Sequence, residues 1–507
     1  MNRIPEKTAY LLSGFISSKL GLNFPKERFG ELEHGLYNAR KDFGFDDFSK
    51  FIEWLPDSGL TSNEIEKLST HFTIGETYFF RDIKYFHSVE KIIKDEILPV
   101  NTVKDKRLRI WSAGCSTGEE AYSIAIMLHR IISDIENWKI TIMATDINPK
   151  SLKKANDGVY KDWSFRNSPD WLKINYFDEN PKGHFKIKKQ IKDMVTFVYH
   201  NLALDPFPSM LHNLFAFDII FCRNVMMYFT QDLMNKSIEK FFHSLSDTGL
   251  LIVSPSEASH LLFGAYETLY FPDVILYKKN KTDYIPESYV FKPQEKFIQI
   301  ENELSENDFL RIQKFPRIVN LIPKKINKEP KKIKKEDNSL TQSNQSLEIA
   351  TSLFDKGDYI GSEKILKSFS ETENKNSDVI ILLAKIAGNR GLSEESIAYC
   401  KKAIEIDKLN PEPYYLLSTI SQESGKYGEA VDWLKKAIYL DSRFVIAHFG
   451  LGNLFLKLGK ITESKKYFKN AGNLLKNFND DEIIPESSGI TAGRLKEIIS
   501  HLSESIY

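Results

Sequence analysis

The sequence predicts an α/β domain with an open sheet, preceded by helices and followed by an all-α solenoid. Three observations carry that expectation. Arg109–Ala125, RIWSAGCSTGEEAYSIA, reads as an apolar strand, a glycine turn and a helix. Strand and helix patterns then alternate to about residue 280. In the last third, Gly357, Gly391, Gly425 and Gly459 recur every 34 residues. A glycine turn between strand and helix lets the backbone approach a ligand closely, and a period of that length belongs to stacked helical repeats.

A chain of 507 residues has room for about three domains, and an apolar content of 42% suffices for packed cores. Lys+Arg and Asp+Glu balance at 69 each, so overall charge points to neither nucleic acid nor an anionic membrane. The three cysteines, Cys115, Cys222 and Cys400, lie far apart, which excludes a disulfide scaffold and gives no support for a zinc site. The N-terminal stretch has no apolar core followed by a small-residue cleavage site, and no run of 18 apolar residues occurs. The expectation is a cytoplasmic protein without membrane insertion.

Residues 1–95 read as a helical domain, with Phe29, Leu32, Leu36 and Tyr37, then Phe48, Phe51, Ile52 and Leu55, at helical spacing. Pro25, Pro56 and Gly59 punctuate it. Within Gly75–Asp82, Thr77 and Arg81 stand four apart, near one face of an expected helix, with Phe79 and Phe80 able to pin the segment into a core. By itself this is also the pattern of an ordinary amphipathic turn with a solvated arginine.

Residues 96–280 alternate. RLRIWSA is the first strand, and Gly114 and Gly118 bracket a loop opening a helix that runs from Glu119 to about Ile132. KITIMATDIN is the second strand, ending in Asp146 about thirty residues after the loop, where an acid can accept hydrogen bonds from ribose hydroxyls. An Asp before Asn-Pro is also a common turn cap. Residues 160–200 break the alternation and read as a small β-subdomain, in which HFKIKKQIKDMVTFVYHNL gives two short strands with a polar turn at Gln190–Asp193. Asn201-Leu202 follow. FDIIFCRNVMMYF, 217–229, is an apolar strand that delivers Cys222, Arg223, Asn224 and, a turn later, Tyr228 to the carboxyl end of the sheet, where ligands sit. Arg223 could instead form a structural ion pair, with Asp218 a candidate partner. LSDTGLLIVSPSEAS and Tyr270–Lys278 supply further strands, with Ser256 and Glu257 expected at the cleft mouth.

SAGCSTGEE, TYFFRD with Thr77 and Arg81, ATDINPKSLKKANDGVY, FCRNVMMYF and the Gly-Leu-Leu…Ser-Glu ending together resemble the CheR family of chemotaxis receptor glutamate methyltransferases. They occur in family order across residues 1–280, more than half of the chain. The loop lacks the Lys-Ser/Thr of a phosphate-binding P-loop and the third glycine of the dinucleotide fingerprint. Gly75 stands where the family usually has Asn. The resemblance implies a Rossmann-like S-adenosylmethionine-dependent methyltransferase fold. It also implies transfer of a methyl group to glutamate side chains of chemoreceptor signalling domains, leaving S-adenosylhomocysteine. It assigns Thr77, Arg81, Gly114, Glu120, Asp146, Asn201, Leu202, Cys222, Arg223 and Asn224 to the cofactor. Glu120, rather than Glu119, is placed for the donor's ammonium, Asp146 for the ribose, and Asn201 and Leu202 for the adenine. Arg81 and Tyr228 are expected to orient the incoming carboxylate. No metal is required. Some family members dock a receptor tail peptide on the β-subdomain through a longer glycine-containing loop. This chain has only Asp178–Gly183 there, which argues against such tethering.

Residues 281–342 carry seven lysines between Lys324 and Lys335 and then a polar run, the composition of an extended linker. A basic patch for nucleic acid or an anionic leaflet is the alternative, though no aromatic residues interleave the lysines. In residues 343–507, Leu366, Cys400, Leu434 and Phe468 follow each periodic glycine by nine positions, and Phe369, Ala403, Ala437 and Ala471 by twelve. Ile349, Leu383, Leu417 and Leu451 precede it by eight. The period resembles the tetratricopeptide repeat, implying a solenoid whose concave groove docks a protein or peptide, closed by a capping helix GRLKEIISHLSES. The array could instead space or dimerise the enzyme. Two further readings stay open: an acceptor other than a receptor glutamate (another protein carboxylate or a small molecule), and a cofactor-binding scaffold or sensor whose repeats do the work.

Overall fold

Apolar residues at helical spacing dictate the first layer. Helices α1 (Glu6–Leu20), α2 (Phe29–Asp42), α3 (Phe48–Trp54) and α4 (Ser62–Ser69) share one core around Leu12, Phe15, Leu32, Leu36, Phe51 and Leu68. Asp47 caps α3 through the backbone N–H groups of Ser49 and Lys50, and Thr61 with Glu64 forms a capping box on α4. The computed structural model describes residues 4–279 and 338–505, apart from 74, 105, 182, 210–212, 260–261, 356–357, 369–375, 481 and 488–489. The expected linker therefore lies outside the described residues up to 337. Its last part is helical, because a helix opens at Asn338.

The segment 75–82 is not the expected helix. It runs as extended backbone and turns, and α5 (Ile83–Ile92) begins only after Asp82. Tertiary packing overrides the local pattern. Phe79 stacks on Phe165 at 4.9 Å between ring centroids, and the Phe80 backbone N–H donates to Ser123 Oγ at 2.9 Å. Holding both rings inward requires positive φ at Phe80 (53°) and Asp82 (56°), values a helix cannot contain.

A further helix, α6 (Leu98–Lys104), leads into the sheet. In chain order follow β1 (Arg107–Ala113), α7 (Glu119–Ile131), β2 (Lys139–Asp146), α8 (Pro149–Asp157), β3 (Val159–Tyr160), α9 (Trp171–Tyr176), β4 (Phe177–Glu179), β5 (Phe185–Ile187) and α10 (Lys189–Lys192). Then come β6 (Val195–Tyr199), β7 (Phe217–Phe221), α11 (Gln231–Ser244), β8 (Leu245–Ile252), β9 (Tyr266–Phe271) and β10 (Val274–Lys279). Seven strands form the main sheet in the order β6-β2-β1-β7-β8-β10-β9, parallel from β6 to β8 and antiparallel at the β10 and β9 edge. Order reverses at β1, and the carboxyl ends of the strands beside such a switch point are where open sheets bind ligands.

Two expectations in this region are corrected. The strands flanking Gln190–Asp193 do not pair with each other. β5 joins β3 and β4 in a small separate sheet, while β6 lies parallel to β2, with Ala144 opposite Phe197. A helical turn, α10, separates them, so the subdomain ends before β6. The last expected strand, Tyr270–Lys278, is two strands reversing at Pro272-Asp273, where Asp273 has φ 61°.

The C-terminal part consists of helix pairs: α12 (Asn338–Asp355) with α13 (Tyr359–Lys367), α14 (Ser377–Asn389) with α15 (Ser393–Ile406), α16 (Glu412–Glu423) with α17 (Tyr427–Leu440), and α18 (Val445–Lys457) with α19 (Ile461–Leu474). Helix α20 (Ala492–Ser505) closes the array. The periodic Gly391, Gly425 and Gly459 take φ between 70° and 76° at the turn inside each pair. Cys400, Leu434, Phe468, Ala403, Ala437 and Ala471 are fully buried where paired helices meet. Ile349 departs from the pattern and is half exposed.

The array packs against the amino-terminal edge of the sheet, and its closing helix α20 also touches α4 of the helical layer. Arg109, buried in β1, reaches Glu423 of α16 at 3.3 Å and donates to the Phe215 and Asn213 carbonyls at 3.2 and 3.0 Å. Arg390 meets Asp247 at 3.4 Å, and a Cβ at Gly391 would lie 2.9 Å from that of Ala216. The His243 ring on α11 stands edge-on to Tyr359 at 6.0 Å.

Burial pushes the His243 pKa down to about 4, with the nearby Lys279 ammonium adding to the effect. The unfolded chain takes up this proton near pH 6.5 and the folded chain only near 4. Stability is therefore complete above pH 6.5 and falls as pH drops through that window, by no more than about 3 kcal/mol. Urea unfolding at pH 7.5 and 5 should show a smaller acid loss for His243→Phe than for the parent chain. Equal losses would place the acid sensitivity elsewhere.

Candidate active site

At the switch point lies an open cleft. One wall is the glycine loop. The Gly114 and Cys115 N–H groups donate to the Thr145 carbonyl at 2.7 and 2.9 Å, which ties the end of β1 to β2. Gly114 has φ 83°, and a Cβ there would meet Val225 Cγ2 at 2.3 Å, so the loop needs glycine on both counts.

Asp146, at the end of β2, accepts from the Ser116 N–H through Oδ2 and from the Asn148 N–H through Oδ1, each at 2.8 Å. Burial raises its pKa, and these backbone donors counter the rise. Glu120 accepts from Ser112 Oγ at 2.8 Å and lies 3.3 Å from Arg223 Nη1. Burial raises its pKa too, against the pull of Arg223. Glu119 turns the other way. Buried, it accepts from Ser164 Oγ at 2.9 Å and Thr117 Oγ1 at 2.6 Å, and so braces the loop rather than facing the cleft.

Arg223 bridges Glu120 and Asp82, the latter at 2.6 Å, with its side chain 2% exposed. Asp218, the partner considered from sequence, accepts instead from the Arg109 backbone N–H at 2.8 Å. Arg81 donates to the Glu76 carbonyl at 2.9 Å, and the Arg166 guanidinium lies 4.2 Å from the Tyr78 ring centroid at the same margin.

The cleft is lined by Thr77, Arg81, Gly114, Glu120, Asp146, Asn201, Leu202, Arg223, Asn224 and Tyr228, ten of the expected residues, drawn from the segment 75–82 and from the carboxyl ends of β1, β2, β6 and β7. Cys222 is the exception. It is fully buried in the apolar layer that holds Trp111 and Ile220, outside the lining, and burial pushes its thiol up. The side chain of Asn201 is committed within the protein: it donates to the Lys19 carbonyl at 2.9 Å and accepts from the Ala203 N–H at 3.0 Å. Asn201 therefore shapes the wall and ties it to α1.

Glu257 does not line the cleft mouth. It is buried behind it, where it accepts from the N–H groups of Asn224 (2.9 Å), Val225 (2.8 Å) and Met227 (3.2 Å). One carboxylate thus shapes the whole turn after β7, including the positive φ of Asn224 (59°). Residues that sequence patterning passed over complete the lining: Leu20, Phe24, Arg28 and Phe72 from the helical layer, and Ser116 and His200. Arg28 lies 5.4 Å from the Tyr228 ring centroid. No local motif signals Leu20, Phe24, Arg28 or Phe72, because the packing of the helical layer on the sheet brings them in.

Residues 75–267 match the family described as CheR methyltransferase, SAM binding domain. Residues 377–408 and 422–459 match tetratricopeptide and TPR repeats. The chain is 35% identical over 249 residues to a chemotaxis protein methyltransferase of Borreliella burgdorferi, covering 48% of this chain and 84% of that protein. It is 32% identical to chemotaxis protein methyltransferase 2 of Vibrio cholerae, covering 39% of this chain and 67% of that one. A probable chemotaxis protein methyltransferase of Rhizobium etli is 30% identical, with 43% and 80% covered.

The donors present fit an adenosyl sulfonium amino acid. A carboxylate with a cation beside it (Glu120) faces the cleft, and Asp146 has lone pairs left after its two backbone bonds. Ser116 Oγ and Arg223 Nε are buried polar atoms without a hydrogen-bond partner among the described residues. Such atoms await a ligand group or water. Among the described residues no helix is long and apolar enough to cross a membrane.

Proposed function

The chain belongs to the CheR family of chemotaxis methyltransferases, and from that premise we propose that it transfers a methyl group from S-adenosylmethionine to glutamate side chains of chemoreceptor signalling domains, releasing S-adenosylhomocysteine. The observation that carries this reading is the joint lining of one cleft by Glu120, Asp146, Arg223, Arg81 and Tyr228, contributed by separate stretches of the chain. When bound, the donor supplies a methyl group already activated by its sulfonium charge.

The protein's part is to bind, align and exclude water. Glu120 faces the donor's ammonium, with Arg223 countering the rise in its pKa that burial causes. Asp146 accepts from ribose hydroxyls, and Leu202 with the Asn201 backbone packs against the adenine. A glutamate acceptor is ionised at neutral pH, so no strong general base is needed. Arg81 and Tyr228, both in the cleft lining, orient that carboxylate for in-line attack, a contribution of several kcal/mol in well-aligned systems. The repeats dock a protein partner that brings enzyme and receptor together.

The test is transfer of labelled methyl to receptor signalling domains by the full-length protein. Base-labile label on receptor glutamates is the expected result. Absence of label with donor binding intact would overturn the acceptor assignment and favour the scaffold reading. Within that assay, Tyr228→Phe should leave donor affinity within twofold and slow transfer by about 10- to 100-fold. A loss confined to donor affinity would remove Tyr228 from the acceptor side.

A further inference from the structure

The repeat array has its inner surface filled. Helices α14, α16 and α18, the first of their pairs, bury consecutive residues: Val379 to Ala384, Tyr414 to Ser418 and Val445 to Phe449. A helix buried at consecutive positions is covered on every side. The second helices bury only a stripe each, such as Leu434 with Ala437. The open groove expected from the repeat pattern is therefore occupied by the chain itself. Part of the cover is the sheet edge around Arg109. Another part is the segment between α19 and α20.

That segment folds back as a tight turn. The Ser487 N–H donates to the Ile484 carbonyl at 3.2 Å and the Ile484 N–H to the Ile490 carbonyl at 2.9 Å, with a bridge between Ile483 and Thr491. Pro485 is the second residue of the turn, and Glu486, the third, has φ 61°. Proline second and positive φ third is the signature of a type II turn, whose third position normally holds glycine or asparagine. A glutamate held there signals a side chain with a task. Its Oε2 lies 2.7 Å from Nζ of Lys385 on α14, which also pairs with Glu412 of α16. Lys385 thus sits between two carboxylates, and both hold its ammonium charged against the pull of burial. Ile484 and Ile490 are buried in the same apolar cluster as Tyr414, Tyr415 and Phe449, while Ile483 is 60% exposed.

We propose that the inner face of the second and third repeats is a receptor site for an acidic turn flanked by aliphatic residues, and that residues 483–487 with Ile490 and Thr491 occupy it as a built-in ligand. A protein partner presenting the same chemistry then enters by displacing them. The strained backbone at Glu486 makes the internal ligand weaker than an unstrained one with equal contacts, which narrows the advantage its tether gives it. This deepens the docking role of the repeats and rests on it, while leaving the methyl-transfer reading untouched.

The probe is a fluorescein-labelled peptide of residues 482–491, EIIPESSGIT, titrated by anisotropy against full-length protein. Glu486→Lys breaks the internal pair and should bind the peptide at least tenfold tighter than the parent chain. It should also speed amide exchange across 482–487. The swap Lys385→Glu with Glu486→Lys re-forms the pair in reverse, so tight binding should disappear and slow exchange return. Faster exchange in Glu486→Lys without tighter peptide binding overturns the receptor site but leaves docking elsewhere on the array standing. Unchanged exchange and unchanged binding overturn the internal ligand itself. Circular dichroism melts of each variant separate these outcomes from misfolding.

Discussion

Arg223→Ala is expected to lower folding stability by about 3 kcal/mol or more and to abolish measurable binding of S-adenosylmethionine. The two carboxylates that Arg223 neutralises respond differently to its loss. Asp82 has a side chain 43% exposed and can turn to water. Glu120 is 13% exposed, and burial already raises its pKa. Without Arg223 the Glu120 pKa rises further, which weakens its hold on the donor's ammonium. The stability cost and the affinity loss therefore share one cause. Urea denaturation and calorimetric titration measure the two. Arg223→Lys, which keeps the charge but cannot reach both acids with separate nitrogens, should recover part of the stability and less of the affinity. Donor binding within threefold of the parent chain in Arg223→Ala would break this account.

The second large effect is at the glycine loop. Gly114→Ala must hold φ 83° with a side chain, which costs about 1–2 kcal/mol. It must also accommodate a methyl group 2.3 Å from Val225 Cγ2. Valine is stiff about χ1, so it cannot rotate away freely, and the turn after β7 shifts instead. The sum is about 2–4 kcal/mol with at least a tenfold loss of donor affinity, because the displaced turn carries Arg223 and Asn224. Gly183→Ala separates the two terms. Its φ is 70°, but no atom lies within 4 Å of the added Cβ, so it should lose only the backbone part and bind the donor normally. Equal losses at both glycines would show that crowding against Val225 contributes nothing.

The sheet was legible wherever a strand is covered on both faces, because β1 and β7 then read as short, mainly apolar runs bounded by glycine or a polar turn. The repeat was legible because its glycine position needs positive φ at a fixed interval. Legibility failed where the deciding partner is distant. Residues 75–82 have helical spacing, but Phe165 and Ser123 decide where Phe79 and Phe80 go. Nothing local to Val195–Tyr199 tells that β6 pairs with β2 rather than with β5. In the cleft, residues carried by motifs were found, whereas those donated by α1 and α2 were not. Glu257 was located but misread, since a motif tells that an acid is wanted and not which way it faces. The filled inner face of the array depends on a turn at 484–487 that carries no periodic signal.

The pair Arg109 and Glu423 bears on how freely the two halves of this chain could be traded. A catalytic half that is interchangeable among accessory arrays would meet its neighbour through a neutral, forgiving skin. Here the guanidinium, 2% exposed, has its counter-charge in another module, three hundred residues away in sequence. Grafted onto an array without that acid, the same β1 strand would bury a cation against an indifferent surface, at a cost of several kcal/mol. The two halves are thus matched to each other at this contact. A working chimera would need the acid carried across with the strand.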